Sequence, residues 1–256
     1  NHKGGILYAM IDGHSAYCMN FGLSAKGGQL MTSDSNPDTN LSAAQEKLLA
    51  YCMYYGYSTT EAKAPTNDQC NKFIATQSMV WIIVNGIFGT SSADSAAKKL
   101  CDCAPDSSSS YSYYETLRDK INASYNATRP SFASKTKSDA TTYELKWNEE
   151  NKRFEYTFKD ANKVLGNFDF SIDGFSVSKS GNSMTVYTKS VNTTATLGTF
   201  KSTIGAVDTT SSCVFWLTGK DGDQQFISEQ PSADPISAYI KVKTENIGYG
   251  DITKTD

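Results

Sequence analysis

From about residue 41 to 126 the apolar residues recur at helical spacing, and from about 140 to 247 they alternate as in strands. That change of period excludes an all-helical bundle and an all-β chain alike and points to an α+β fold. In the helical stretch Ser42 is placed to cap a helix bearing Leu48, Leu49, Cys52 and Tyr55, with Gly56 at its end. Asn67 or Asp68 caps a second helix running to Gly86. Phe73, Ile74, Gln77, Val80, Trp81 and Val84 share one face of it. Ser92–Cys103 reads as a third helix before Pro105. Ser112-Tyr113-Tyr114-Glu115 is a capping box opening a fourth, with Leu117, Ile121 and Tyr125 facing inward. The Ser107–Ser110 run reads as a solvated loop.

In the alternating stretch Tyr143, Leu145 and Trp147 are followed across Glu149-Glu150-Asn151 by Phe154, Tyr156 and Phe158, which predicts a hairpin. Strands at Phe168–Ile172, Met184–Tyr187, Cys213–Leu217, Gln225–Ser228 and Ala238–Val242 bring the number to about seven. Short strands at this spacing suggest an antiparallel β-sandwich or barrel. Two more are expected before the helices, at Gly5–Ile11 and Ser15–Phe21, joined by a turn at Asp12-Gly13. The second of these carries Cys18. The chain therefore reads as a helical lobe (about 41–126) and a β lobe (about 140–247, with N-terminal strands at 5–32), joined through Ser131–Thr142.

The 256 residues are 39% hydrophobic, enough for a sizeable core. A net charge of −3 leaves no electrostatic footprint for nucleic acid. The longest apolar run, Met79–Val84, is far too short for a membrane span, so no membrane insertion is expected. No signal peptide is visible, and the opening Gly5-Ile6-Leu7-Tyr8 reads as an excised internal fragment would. Only 20% of residues are charged and Ser, Thr, Asn and Tyr are abundant, as in many extracellular domains. Cys101-Asp102-Cys103 has neither a second CxxC nor a nearby histidine, so no metal or other cofactor is expected.

Gln77 follows Phe73 by one helical turn and precedes Trp81 by one, which directs its side chain into the core. A buried primary amide has two N–H donors and a carbonyl to satisfy, and failure costs about 1–3 kcal/mol. Either Gln77 has good partners there or its amide has been changed chemically. Cys18 poses the same choice between a small buried apolar residue and a reactive group. A cysteine hydrolase would need a histidine base, and only His2 and His14 exist, both upstream of Cys18.

Tyr17-Cys18-Met19-Asn20 resembles the aromatic-Cys-hydrophobic-Asp/Asn signature of the Cys-Gln thioester domains of Gram-positive surface adhesins. Thr76-Gln77-Ser78-Met79-Val80-Trp81 is similar to their Thr-Gln-x-Ala-hydrophobic-Trp signature, with the larger Met79 where the family has Ala. Tyr143-Glu144-Leu145-Lys146-Trp147 and Asp234-Pro235-Ile236-Ser237-Ala238-Tyr239 extend the resemblance over most of residues 5–247. It implies a thioester domain over 1–247, with Cys18 sulfur bonded to the Gln77 acyl carbon at the junction of helical and β parts. Residues 248–256 then resemble a linker into a stalk module. Cys18 would be the leaving group, Gln77 the acyl donor, and His14, Tyr17, Asn20, Thr76 and Trp81 supporting residues. The implied activity is a single covalent capture, not enzymatic turnover. The implied setting is the bacterial cell wall, on a monomer whose partner is a host surface or matrix protein reached through a lysine amine. The other reading is a noncovalent adhesin or stalk domain with Cys18 and Gln77 as core residues. With Cys18 reserved, the pairing of Cys52, Cys70, Cys101, Cys103 and Cys213 stays open.

Overall fold

The computed structural model describes residues 9–23, 30–34, 40–60, 65–209, 213–218, 223–228 and 232–247. The first half of the Gly5–Ile11 strand, His2 and the 248–256 linker lie outside the described residues. The chain begins with strands β1 (Ala9–Ile11), β2 (His14–Cys18) and β3 (Thr32–Asp34). Helices α1 (Ala43–Tyr55), α2 (Asn67–Val84), α3 (Ala93–Cys101) and α4 (Ser107–Tyr125) follow. Next come β4 (Thr142–Asn148), β5 (Arg153–Lys159), β6 (Phe168–Ile172), β7 (Ser176–Ser180), β8 (Ser183–Thr188) and β9 (Thr196–Ser202). The last strands are β10 (Val207–Thr209), β11 (Val214–Leu217), β12 (Phe226–Ser228), β13 (Ala233–Pro235) and β14 (Ser237–Thr244). The fold is α+β, divided into two compact units: Asn1–Asn126 with Val207–Asp234, and Ala127–Ala206 with Pro235–Asp256.

In the first unit a five-stranded sheet runs β1-β2-β12-β11-β3. Asp12 and Gly13 both have positive φ (48° and 79°), the geometry of a two-residue type I′ hairpin. A lone two-stranded hairpin is marginal in water. Here β2 gains a second partner in β12, with Cys18 opposite Phe226. Strands 214–217 and 226–228 thus join the N-terminal strands in the helical unit, a pairing across some two hundred residues that local pattern does not encode.

Helix α2 packs against α1, α3, α4 and β2. Its positions Phe73 through Val80 are consecutively buried. Thr66, rather than Asn67 or Asp68, is its N-cap, because only Thr66 can form the reciprocal box with Gln69. Helix α1 starts from the matching box of Ser42 and Gln45. Helix α4 begins at Ser107 and absorbs the serine run expected as a loop. The Asp106 carboxylate accepts from Ser108 N (3.0 Å), Ser109 N (3.1 Å) and both hydroxyls. Those hydrogen bonds hold the Asp106 carboxyl down at about 2.

The second unit is built on a seven-stranded sheet ordered β6-β9-β14-β4-β5-β8-β7. Every neighbouring pair is antiparallel except β14 with β4, which run parallel. Leu145, Phe154, Phe158, Phe200, Ile240 and Val242 are central to its core. Residues 131–142 belong to this unit: Ser131 N donates to the buried Asp160, and Ser134 bridges Tyr239.

Gly56 ends α1 with an extended backbone (φ −69°, ψ 175°), so it is not needed for left-handed geometry. It is needed for space. A Cβ there would lie 2.5 Å from the Cys52 carbonyl oxygen and 2.6 Å from Thr76 Cγ2 on α2. Gly56→Ala is expected to lower unfolding stability by about 1–3 kcal/mol through overpacking, measurable by urea denaturation.

Candidate functional site

Three consecutive polar side chains, Thr76, Gln77 and Ser78, have no solvent exposure on α2. Ser78 Oγ donates to Ile74 O (2.8 Å) and Thr76 Oγ1 to Lys72 O (3.0 Å), so both are satisfied within their own helix. Gln77 is too long for that, and its partner is β2. Gln77 Oε1 accepts from Cys18 N at 2.8 Å, and Gln77 Nε2 donates to Cys18 O at 2.7 Å. The carboxamide therefore behaves as an extra peptide unit on the strand. Strand alternation makes this possible: Met19 N donates to Gln225 O on the β12 side (2.9 Å), which turns the Cys18 N–H and C=O the other way.

The strand is held on the helix by residues 57–59. Tyr57 N donates to Thr76 Oγ1 (3.0 Å), while Tyr57 O accepts from the Tyr17 hydroxyl. Thr59 N donates to Ser15 Oγ (3.0 Å), and Ser15 N returns a bond to Thr59 O (3.2 Å). Tyr17 stacks on Phe73 with ring centroids 4.7 Å apart. Tyr17 belongs to the main helical core, whereas Cys18 belongs to a smaller cluster with Ala9, Ala16 and Phe226, flanked by Trp81 and Trp216. Neighbouring residues of a strand face opposite ways, so one strand serves both.

Cys18 retains 9% of its surface. Burial pushes its thiol up to about 11, against a smaller lowering by a backbone hydrogen bond. At neutral pH such a thiol stays protonated, which suits a hydrolytic nucleophile poorly. Among the described residues, no group of three or more His, Cys, Asp or Glu is placed to hold a metal.

Residues 15–123 match the family model described as "TED: Thioester domain". Over this stretch the chain is similar to the thioester domain family. Cys18 and Gln77 both lie inside it. The thioester domain of the Staphylococcus aureus TIE protein is similar in structure, with 17% identity over 92% of this chain and 84% of that chain and a TM-score of 0.44. No curated protein sequence matches.

The supporting residues expected around the pair divide into four groups. Tyr17 and Thr76 anchor β2 to α2, as above. Asn20 pins the approach to β12, its Oδ1 accepting from Gln225 N at 2.8 Å. Trp81 flanks the Cys18 cluster, meets Phe21 edge-on at 5.0 Å, and has a buried indole N–H with no acceptor among the described residues. His14 is exposed at the far end of β2. Four residues of extended strand place it about 13 Å from Cys18, so the fold does not bring it to the sulfur. Sequence reasoning missed Tyr57, Gln225 and Phe226. Their contributions run through main-chain atoms or a strand partner, and no side-chain motif marks them.

Proposed function

We propose that Cys18 Sγ and the Gln77 acyl carbon become joined in an internal thioester. Through it, this domain captures a host surface or matrix protein at a lysine amine, on the outside of a Gram-positive cell. The observation that carries the reading is the doubly hydrogen-bonded seat of a fully buried Gln77 on Cys18, inside residues that match the thioester domain family. Formation of the link transfers the thiol proton to the departing amide nitrogen, and ammonia leaves. The product is less polar than the carboxamide it replaces, as an interior position favours.

Capture is acyl transfer. The neutral amine attacks the Gln77 carbonyl carbon, and the oxygen gains negative charge in the tetrahedral intermediate. Cys18 N–H already points at Oε1 and is placed to stabilise that charge. The C–S bond then breaks, and the surplus proton of the attacking nitrogen ends on Sγ. Proton delivery matters because a buried thiolate is a worse leaving group than one in water. The result is an isopeptide bond and a free Cys18, one event per molecule with no turnover. Residues 248–256 would lead to a stalk module, and among the described residues no helix is long and apolar enough to cross a membrane.

One observation favours a noncovalent adhesin instead: the same two hydrogen bonds satisfy the Gln77 carbonyl and one of its N–H groups without any chemistry. Intact mass separates the two. A thioester makes the chain lighter by one ammonia, and methylamine adds its own mass to that lighter form; an unlinked pair shows neither change. With no base placed beside the pair among the described residues, capture should quicken about tenfold per pH unit from 7 to 10, because only about one lysine in 2,500 is neutral at pH 7.

A further inference from the structure

Beside the reactive pair, α2 also walls an open apolar pocket of about 260 Å³. Its apolar lining comes from Phe21, Trp81, Ile82, Ile87, Ala96 and Leu100. Asn85 and Lys99 are the polar lining residues. We infer that this pocket receives an aromatic side chain of the same partner that supplies the amine, next to an acidic residue that meets Lys99. The inference rests on the thioester reading above and names the peptide neighbourhood that the site selects.

Four observations carry it. The first is continuity: Trp81 both lines the pocket and flanks the cluster containing Cys18. The second is size. An apolar cavity of about 150 Å³ suffices for benzene, whereas drug-sized ligands fill roughly 300–1,000 Å³. A pocket between these limits suits one large aromatic side chain. The third is unmet valence. Phe21 keeps 63% of its surface exposed despite its contact with Trp81, and the Trp81 N–H has no acceptor among the described residues. Among the described residues Lys99 has no ion pair either, so an occupant carrying an acceptor and a carboxylate complements the site.

The fourth is spacing. Gln77, Trp81 and Asn85 succeed one another at four-residue steps along α2, so the pocket lies about 6–12 Å along the axis from the acyl carbon. An extended peptide advances about 3.3 Å per residue. The aromatic residue therefore belongs two to four positions from the captured lysine. A partner bound this way is held over the carbonyl before the amine loses its proton, which makes up for the scarcity of neutral amine at neutral pH.

The test uses short synthetic peptides with one lysine, bearing Phe-Glu, Ala-Glu or Phe-Arg at that offset on either side. Capture is followed by intact mass, and each rate is divided by the methylamine rate of the same protein. Burying an aromatic ring predicts a preference for Phe over Ala of about tenfold or more. Glu should outrun Arg as its neighbour. Ala96→Phe, which fills the pocket, should bring the Phe/Ala ratio to about one, and Lys99→Glu should invert the Glu/Arg preference. Equal capture of Phe-Glu and Ala-Glu peptides by a protein that takes up methylamine overturns the pocket and leaves the thioester standing. Failure to take up methylamine overturns the thioester reading itself, and the pocket inference with it.

Discussion

Cys18→Ala is expected to abolish covalent capture completely. The variant should show the full mass of the unlinked chain, take up no methylamine and release any partner on boiling in detergent. It should also reveal what the bond does for the fold. A thioester between residues 18 and 77 ties β2 to α2 and closes a loop whose ends are 59 residues apart. By the chain-entropy relation for cross-links, closing such a loop removes about 4 kcal/mol of freedom from the unfolded state. The variant lacks that constraint, and so does wild-type protein opened with methylamine. The two should melt together, below the intact protein. If Cys18→Ala retains a boiling-resistant complex, Cys18 is not the leaving group. If intact and methylamine-opened protein melt at the same temperature, the link does not constrain the unfolded chain.

The parts of this fold that were readable in the sequence are those set by local pattern. The apolar stripe through Phe73, Val80 and Trp81 placed Gln77 inward, and the structure buries it without exposure. The β4–β5 hairpin followed from alternation alone. What escaped depends on distant partners or on competition between caps. Nothing near residue 226 announces that Phe226 will stand opposite Cys18. The serine run at 107–110 looks like a loop until the Asp106 carboxylate is counted, since one acceptor group takes two amides and two hydroxyls. Gly56 was readable as a helix end but not as a close approach to Thr76. His14 looked near Cys18 in sequence, yet an extended strand makes four residues a long way.

Cys18 and Gln77 should differ sharply in what they contribute to the unlinked protein. With Cys18→Ala as background no thioester forms, so any further loss on changing Gln77 is purely structural. Replacing Cys18 removes one sulfur from an apolar cluster. Replacing Gln77 removes the partner of two main-chain groups, the N–H and C=O of residue 18, both in a buried setting. Those groups have few alternatives, because β12 is already engaged through Met19. Adding Gln77→Ala to Cys18→Ala should therefore cost a further 3–5 kcal/mol or so, combining two unpaired groups with a cavity beside Trp81. Gln77→Glu keeps the shape but loses a donor and, when ionised, buries a charge. It should be tolerated better at acidic pH, where the carboxyl is protonated and can donate to the Cys18 carbonyl. Urea denaturation at pH 5 and pH 8 reads both effects. A loss below about 1 kcal/mol for the double variant would show that water or a neighbouring group replaces the amide, and that the strand does not depend on Gln77.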